Sequence, residues 1–434
     1  MTDDRLRQLG PRQQKGEPVG MYSVCSSHPA VLETAFQQAN ADGSELLIEA
    51  TCNQVNQGGG YAGMTPAGFV RYVRDLAGGT GFPHERLLIG GDHLGPHVWR
   101  KEPAESAMAK AITLVADCVA AGYAKIHLDA GMPLGDDPGD RISMAVSARR
   151  TATLCRTAEA ARTRQQRDTG WPVYVIGAEA PVPGGSLVDA DRVPVTRPEE
   201  IRDFLEVCRR HFIDAGLDDA WERIIAVVVQ PGIDFGETGF APYDREKARP
   251  LSRFHDVLPP GMTYEIHGTD FQPPDSLSRL VEDHFPLLKT GPVLTFAFRE
   301  AVFALSQIET EWLGGKKGVR LSEIRTIIDN EMHQFPDFWA SHHAGDAEEV
   351  RWRRAFSFLD RIRYYWPRPG VEAALSRLLA NLNRPIPLPL ISQYFPDLFP
   401  AVAAGELPAE PQFLIRHRIR AALLPYARAC MMAT

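Results

Sequence analysis

From residue 18 to about 307 the chain repeats one pattern: a short apolar, β-branched run, a turn rich in Gly, Pro and Asp, then a longer stretch with apolar positions at helical spacing. The apolar runs are VGMYSV (19–24), ELLIEA (45–50), RLLIGG (86–91), AKIHLD (124–129), VYVIGAE (173–179), IIAVVVQ (224–230), TYEIHG (263–268) and PLLKTG (286–291). Between them lie amphipathic stretches such as 104–122 and 198–216, each ending in glycine, as helices often do. Near-continuous apolar strands alternating with helices imply a parallel sheet covered by helices. Eight such units over about 290 residues predict an α/β fold of the closed (β/α)8, or TIM-barrel, kind spanning residues 1–307. From 308 to 434 the pattern gives way to Arg-, aromatic- and Pro-rich segments without a clear strand, which predicts a helical C-terminal extension packed on the barrel.

Composition narrows the class. With 44% hydrophobic and 24% charged residues over 434 positions, the chain has enough apolar material for a large core. Lys and Arg total 47 against 55 acidic residues, a net charge of −8, which argues against a nucleic-acid or anionic-membrane binder. Six scattered cysteines without CxxC pairs read as reduced thiols. The charged N-terminal segment has no apolar core of a signal peptide, and no window has the roughly 18 apolar residues of a membrane span. The expectation is a cytoplasmic enzyme.

The ends of the apolar runs carry the chemistry. A barrel builds its active site from residues at the C-terminal ends of its strands. Here those residues are Cys25, Glu49, the pair Asp92 and His93, His127 with Asp129, Glu179, Gln230, His267 and Lys289. Among them His93, Glu179 and His267 form a candidate metal set, two imidazoles and a carboxylate with an open fourth position, as in catalytic zinc sites. Asp92, beside His93, is the candidate catalytic acid/base. Candidate substrate contacts are Asp129, Gln230, Asp270, and, in the loop after the second run, Asn53, Gln54 and Tyr61. That loop, ATCNQVNQGGGYAGM (50–64), reads either as a sugar-binding flap or as an Asn/Gly-rich surface turn. Lys289 stands where many barrels bind phosphate, and is also readable as a salt-bridged structural lysine. Arg361 and Arg363 in LDRIRYYW are either phosphate contacts from the extension or locally paired.

Two chemistries find no motif. No phosphate loop occurs; the nearest string, LGGKKG (313–318), follows a helical stretch instead of a strand. GGSLV (184–188) lacks the strand–turn–helix setting of a serine nucleophile elbow.

The motifs GMYSVCSSHP, IEATCNQVNQGGGYAGMTP, IGGDHLGP, KIHLDAGM, IGAEAPVPGG, VVVQPG and EIHGTDFQ resemble the GatZ/KbaZ family, the partner subunits of class II D-tagatose 1,6-bisphosphate aldolase. The resemblance continues through TGPVLTFAFREAVFALSQIE, LDRIRYYWP and ISQYFPDLF, nearly the whole chain. It implies a (β/α)8 fold distantly similar to the catalytic class II aldolases. In those enzymes an Asp-His pair supplies a proton shuttle and a zinc ligand, matched here by Asp92 and His93. A glutamate followed at +5 and +6 by glycines is matched by Glu179, Gly184 and Gly185, and a late His-Gly by His267 and Gly268. A further histidine ligand is replaced by Gln230, an amide that binds zinc more weakly than imidazole. The resemblance implies Zn2+ or another divalent metal such as Mn2+. The implied activity is D-tagatose 6-phosphate 4-epimerase in tagatose or galactitol catabolism, by retro-aldol and aldol steps at C3–C4. The alternative is a non-catalytic subunit that stabilises a class II aldolase. The expected partners are a ketohexose phosphate, such an aldolase subunit and further copies of this chain, with neither nucleic acid nor membrane.

Overall fold

The computed structural model describes residues 3–164, 170–177, 193–343 and 345–431. Eight parallel strands close into a barrel: β1 (Met21–Cys25), β2 (Leu46–Thr51), β3 (Leu87–Leu94), β4 (Lys125–Asp129), β5 (Val173–Gly177), β6 (Ile224–Val229), β7 (Thr263–Ile266) and β8 (Leu287–Thr290). Each pairs with its neighbour in sequence, and β8 closes on β1 through Met21 opposite Leu287 and Val24 opposite Thr290. Strands β3 to β8 are buried at every residue, as expected when a parallel sheet faces a packed interior on one side and helices on the other. A two-stranded antiparallel ribbon, Asp234–Phe235 with Phe240–Ala241, follows β6.

Punctuation residues set the helix ends. Helix Pro66–Gly79 opens with the Thr65 side chain accepting from the Gly68 N–H and with proline at its first position. Helix Ala104–Ala121 stops at Gly122, whose φ of 96° is left-handed. Helix Pro198–Asp214 begins with Glu200 accepting from the Arg197 N–H. These bounds match the sequence pattern to within a residue or two, and the eight strands fall on the eight apolar runs.

The chain divides into two compact units. The first comprises residues 1–235, 240–291 and 425–434; the second comprises 236–239 and 292–424. The expected boundary at 307/308 falls inside helix Pro292–Leu313 of the second unit. Among its described residues the second unit is helical throughout, including Ile324–Gln334, Ala347–Phe356 and Pro369–Asn381. Its core buries Glu309, whose carboxylate accepts from the Ser322 N–H at 3.0 Å and from Asn381 Nδ2 at 2.6 Å, so the charge is fully hydrogen-bonded. LGGKKG begins at the end of helix Pro292–Leu313, as expected. Among the described residues no helix is long and apolar enough to cross a membrane.

One end of the barrel is apolar. Leu47, Leu88, Val173, Ile225 and Leu287, each first or second in its strand, pack with Leu6 and Leu9 of the N-terminal helix Asp3–Gln14. The first unit is thereby sealed at the N-terminal ends of its strands.

Candidate metal centre in the barrel

One turn of pleat above that apolar layer the interior becomes charged. Glu49 of β2, Lys125 of β4, Glu265 of β7 and Lys289 of β8 are all buried. Lys125 Nζ lies 2.9 Å from Glu49 Oε1 and 2.5 Å from Glu265 Oε2. Strands β4 and β7 are not neighbours, so the second contact crosses the barrel. Lys289 Nζ pairs with Glu49, with Asp92 Oδ1 at 3.0 Å and with Glu265 Oε1 at 3.6 Å. Gly90 makes the first of these pairs accessible: it sits between Glu49 and Lys125 in register, and a Cβ there would fall 2.8 Å from Glu49 Oε1.

Above this layer β3 departs from regular pairing. Between Gly91 and Leu94 two residues, Asp92 and His93, oppose the single His127 of β4. That is a β-bulge. Successive residues of a regular strand face opposite ways, whereas here both lie close to His127, and His93 takes a left-handed φ of 48°. The His93 N–H points at His127 Nδ1 at 3.2 Å, and the same Nδ1 lies 2.9 Å from Asp92 Oδ1. His267 follows β7 directly and is turned by Gly268, whose φ of 68° suits glycine.

The result is three imidazoles with ring centroids 4.7 to 5.3 Å apart, those of His93, His127 and His267. Each has one nitrogen on a carboxylate: His93 Nδ1 on Asp129 Oδ2 at 2.7 Å, His127 Nδ1 on Asp92, and His267 Nε2 on Glu265 Oε1 at 3.3 Å. Carboxylates that hold one imidazole nitrogen and leave the other for an ion are the usual outer support of a metal site. Among the described residues His127 Nε2 is buried without a hydrogen-bond partner. Ligand atoms of Asp92, His127, Glu265 and His267 all lie within 4.8 Å of one another.

Charge points the same way. Among the described residues four buried carboxylates (Glu49, Asp92, Asp129, Glu265) face two buried ammonium groups (Lys125, Lys289), so two negative charges remain to be met by a dication or by imidazolium. Burial pushes the Asp92 carboxyl up, but Lys289, His93 and His267 outweigh it and hold it well below the usual carboxylate range. Burial lowers the His93 imidazole, but Asp92 and Asp129 raise it above the ordinary value. Burial, only partly opposed by Asp92, brings His267 down to about 4. Lys289 resists burial through Asp92, Cys25, Glu265 and Glu49 and stays far above the ordinary lysine value. A lysine so held is no Schiff-base amine at neutral pH. The Cys25 thiol, raised by burial, lies 3.7 Å from Asp92 Oδ2 as a further donor.

The sequence-derived candidates divide accordingly. Asp92, His93, Asp129, His267 and Lys289 come together. Lys289 is committed to carboxylates, the salt-bridged alternative of the sequence reading. Glu179 lies outside the described residues, as do Gly184, Gly185 and GGSLV. Gln230 Oε1 is taken up by its own turn, accepting from the N–H groups of Gly232 and Ile233, both at 2.9 Å. The third imidazole expected to be missing at that strand is supplied by His127. Gln54 uses its amide on the Thr51 N–H at 2.8 Å and the Cys25 carbonyl at 3.3 Å. In the same loop Asn56 Oδ1 accepts from the N–H groups of Gly58 and Gly60, so the glycine stretch is tied down from within instead of forming an untethered flap. Asn53 and Tyr61 are half-buried and joined through the Tyr61 N–H to the Asn53 carbonyl at 3.0 Å. Asp270 accepts from the Thr290 hydroxyl at 3.3 Å and the Gly291 N–H at 3.1 Å, bracing the end of β8.

A second group, His255, Asp256 and His284, also brings potential ligand atoms within 4.8 Å. Its two rings stack at 4.4 Å and 7° between planes. Imidazole binds metal in its own plane, so one ion cannot lie in both of two stacked planes.

A sequence-family profile, D-tagatose-1,6-bisphosphate aldolase subunit GatZ/KbaZ-like, matches residues 6–431. The crystal structure of a probable tagatose 6 phosphate kinase from Sinorhizobium meliloti 1021 is similar at 41% identity and a TM-score of 0.86, over 95% of this chain and 100% of that one. Fructose-bisphosphate aldolase from Campylobacter jejuni matches at 12% identity and a TM-score of 0.44, over 88% of this chain and 94% of that one. A putative fructose-1,6-biphosphate aldolase from Coccidioides immitis matches at 14% and 0.43, over 86% and 96%.

Proposed function

The chain belongs to the GatZ/KbaZ-like family, and on that premise we propose that it is a divalent-metal enzyme that breaks and remakes the C3–C4 bond of a ketohexose phosphate, inverting C4 of D-tagatose 6-phosphate. The observation that carries this reading is the bulge that sets the Asp92 carboxylate and the three imidazoles together above a layer of paired charges, where Asp92 and Asp129 leave the buried charges of the described residues two positive charges short of neutrality. His127, His267 and Glu265, with His93 beside them, are the residues that would hold the ion. Their intermediate-to-hard donor set, imidazole nitrogen and carboxylate oxygen, suits zinc or manganese. Once bound, the ion supplies Lewis acidity toward negative charge developing on a substrate oxygen. A tagatose phosphate is named both by the matching family and by the similar Sinorhizobium meliloti protein, which supports the substrate class.

The roles of this chain's own residues follow from their contacts. Asp92 is kept ionised by Lys289 and oriented by His127, so it can accept a proton at one carboxylate oxygen. It would take the proton of the C4 hydroxyl as the C3–C4 bond breaks, with the bond's electron pair moving onto the C2 carbonyl. After the released aldehyde turns its other face, the same carboxyl returns the proton to the C4 oxygen as the bond re-forms. Asp129 holds the His93 ring in place throughout.

The test is the purified chain supplied with Zn2+ or Mn2+ and D-tagatose 6-phosphate, followed by NMR, alongside metal analysis. C4 inversion that falls about 10²- to 10⁴-fold in Asp92→Asn, with metal content lost in His267→Ala, is the expected result. Absence of inversion with any divalent metal overturns it. The word subunit in the family's description favours a second reading, an accessory role toward a class II aldolase. It is upheld if such an aldolase gains activity or thermal stability on mixing with the Asp92→Asn protein.

A further inference from the structure

Both carboxylates among the candidate ligands have their two oxygens in different company. The described residues whose ligand atoms approach one another are Asp92, His127, Glu265 and His267. A carboxylate can grip a cation with one oxygen or with both. On Glu265, Oε2 lies 2.5 Å from Lys125 Nζ. Its Oε1 faces the imidazoles, 3.3 Å from His267 Nε2 and 3.9 Å from His127 Nδ1, with Lys289 Nζ at 3.6 Å. Asp92 repeats the division. Its Oδ1 lies 2.9 Å from His127 Nδ1 and 3.0 Å from Lys289 Nζ. Its Oδ2 lies 3.7 Å from Cys25 Sγ and 3.9 Å from His93 Nε2.

The lysines are fixed in these positions. Lys125 is wholly buried and Lys289 is 5% exposed. Glu49 ties them together, with Oε1 2.9 Å from Lys125 Nζ and Oε2 against Lys289 Nζ. The four side chains come from four strands, β2, β4, β7 and β8, so none can withdraw without disturbing the others. An ammonium offers donors only and has no lone pair for an ion. In a buried site its charge also repels a cation that would share the same oxygen. The oxygen nearest each lysine is therefore spent.

We propose that Lys125 is a metal-selectivity residue. By occupying Glu265 Oε2 it limits Glu265 to one oxygen toward the ion, as Lys289 limits Asp92, and so biases the cluster toward Zn2+ over Mn2+. Zinc is satisfied by a few ligands rich in imidazole, whereas manganese, like magnesium and calcium, draws on more oxygens. Lys125 acts on the ion only through Glu265, which makes it a positioning residue. The proposal rests on the reading that this cluster holds a divalent ion, and deepens it by choosing between the ions.

The test reads the ion directly. The wild-type chain, stripped by chelation and dialysis, is titrated with Co2+, whose visible absorption is strong at low ligand number and weak when octahedral. Strong bands are expected; weak octahedral bands overturn the proposal without any variant. Zn2+ and Mn2+ affinities are then measured by chelator competition in the wild type and in Lys125→Met, which keeps much of the side chain's length and drops its charge. The ratio of Zn2+ to Mn2+ affinity should fall about tenfold or more. A lysine that only held the fold together would weaken both ions alike, so an unchanged ratio overturns the proposal. If Lys125→Met does not fold, the wild-type cobalt spectrum decides alone. Strong bands without C4 inversion of D-tagatose 6-phosphate sink the catalytic reading and leave this one standing. C4 inversion with weak bands does the reverse, and a wild type that binds none of the three ions overturns both.

Discussion

The two ends of the barrel interior are built from the same strands and differ by two residues along each. On β2 the step runs from Leu47 to Glu49, and on β8 from Leu287 to Lys289. The first layer of the pair is an apolar seal shared with Leu6 and Leu9; the next is a cage of crossing ion pairs. Each layer obeys the same inward-facing period of two. The apolar end contributes stability by keeping water out. The charged end is held by mutual compensation, and so it fails when one member is lost. The further buried carboxylates above it, Asp92 and Asp129, make this the end where a cation has a physical reason to stay.

The largest expected effect breaks the cage. Lys125→Met leaves Glu49 and Glu265 buried with one partner fewer, and should cost about 3–5 kcal/mol in urea unfolding. A neutral result would mean that water or another cation reaches this layer, and the contrast between the ends would fall.

The next effect sharpens the contrast by using an imidazole outside the cage. His255 precedes β7 and is fully buried, with one nitrogen near the Thr263 hydroxyl at 3.2 Å. Burial, aided by neighbouring His284, lowers its pKa from 6.5 to about 3. The folded chain therefore keeps it neutral while the unfolded chain takes a proton below its ordinary value. Its contribution is absent above pH 6.5 and becomes a growing loss of stability as pH falls toward 3, about 2 kcal/mol at pH 5. His255→Gln should make the stability profile between pH 7.5 and 5 shallower by that amount; an unchanged slope would show that His255 is not among the groups that titrate.

The smallest effect belongs to the apolar seal. Ile225→Val removes one methylene from that layer and should cost about 0.5–1.5 kcal/mol, measured in the same unfolding series. Metal content should not change. A coupled loss of metal would show that the two ends are not independent.

Much of this was legible in the amino-acid order. Eight apolar runs became eight strands, and Asp92, His93 and His267 were picked out because polar residues at the ends of apolar runs stand out. Lys125 and Glu265 were not, because a run judged by its overall apolarity hides a charge in its middle. The spacing that would have found them is the period of two in Lys125, His127, Asp129 and in Glu265, His267. Gln230 illustrates a different limit: the Oε1 of a side chain at a strand end takes the turn's own N–H groups as partners. No local pattern tells such a turn-bracing amide from a ligand. Nor does sequence show that the third imidazole comes from β4, since that depends on a bulge in the adjacent strand.

The bulge ties the chemistry to a count. Two residues of β3 stand opposite one of β4, and this odd increment keeps Asp92 and His93 beside His127. Deleting a single residue between Gly91 and Leu94 would restore an even ladder and leave the surrounding hydrogen-bonded frame able to close. It would also turn half of the reactive pair outward. A variant one residue shorter here would therefore fold as a closed shell without the cluster of imidazoles and carboxylate at its centre.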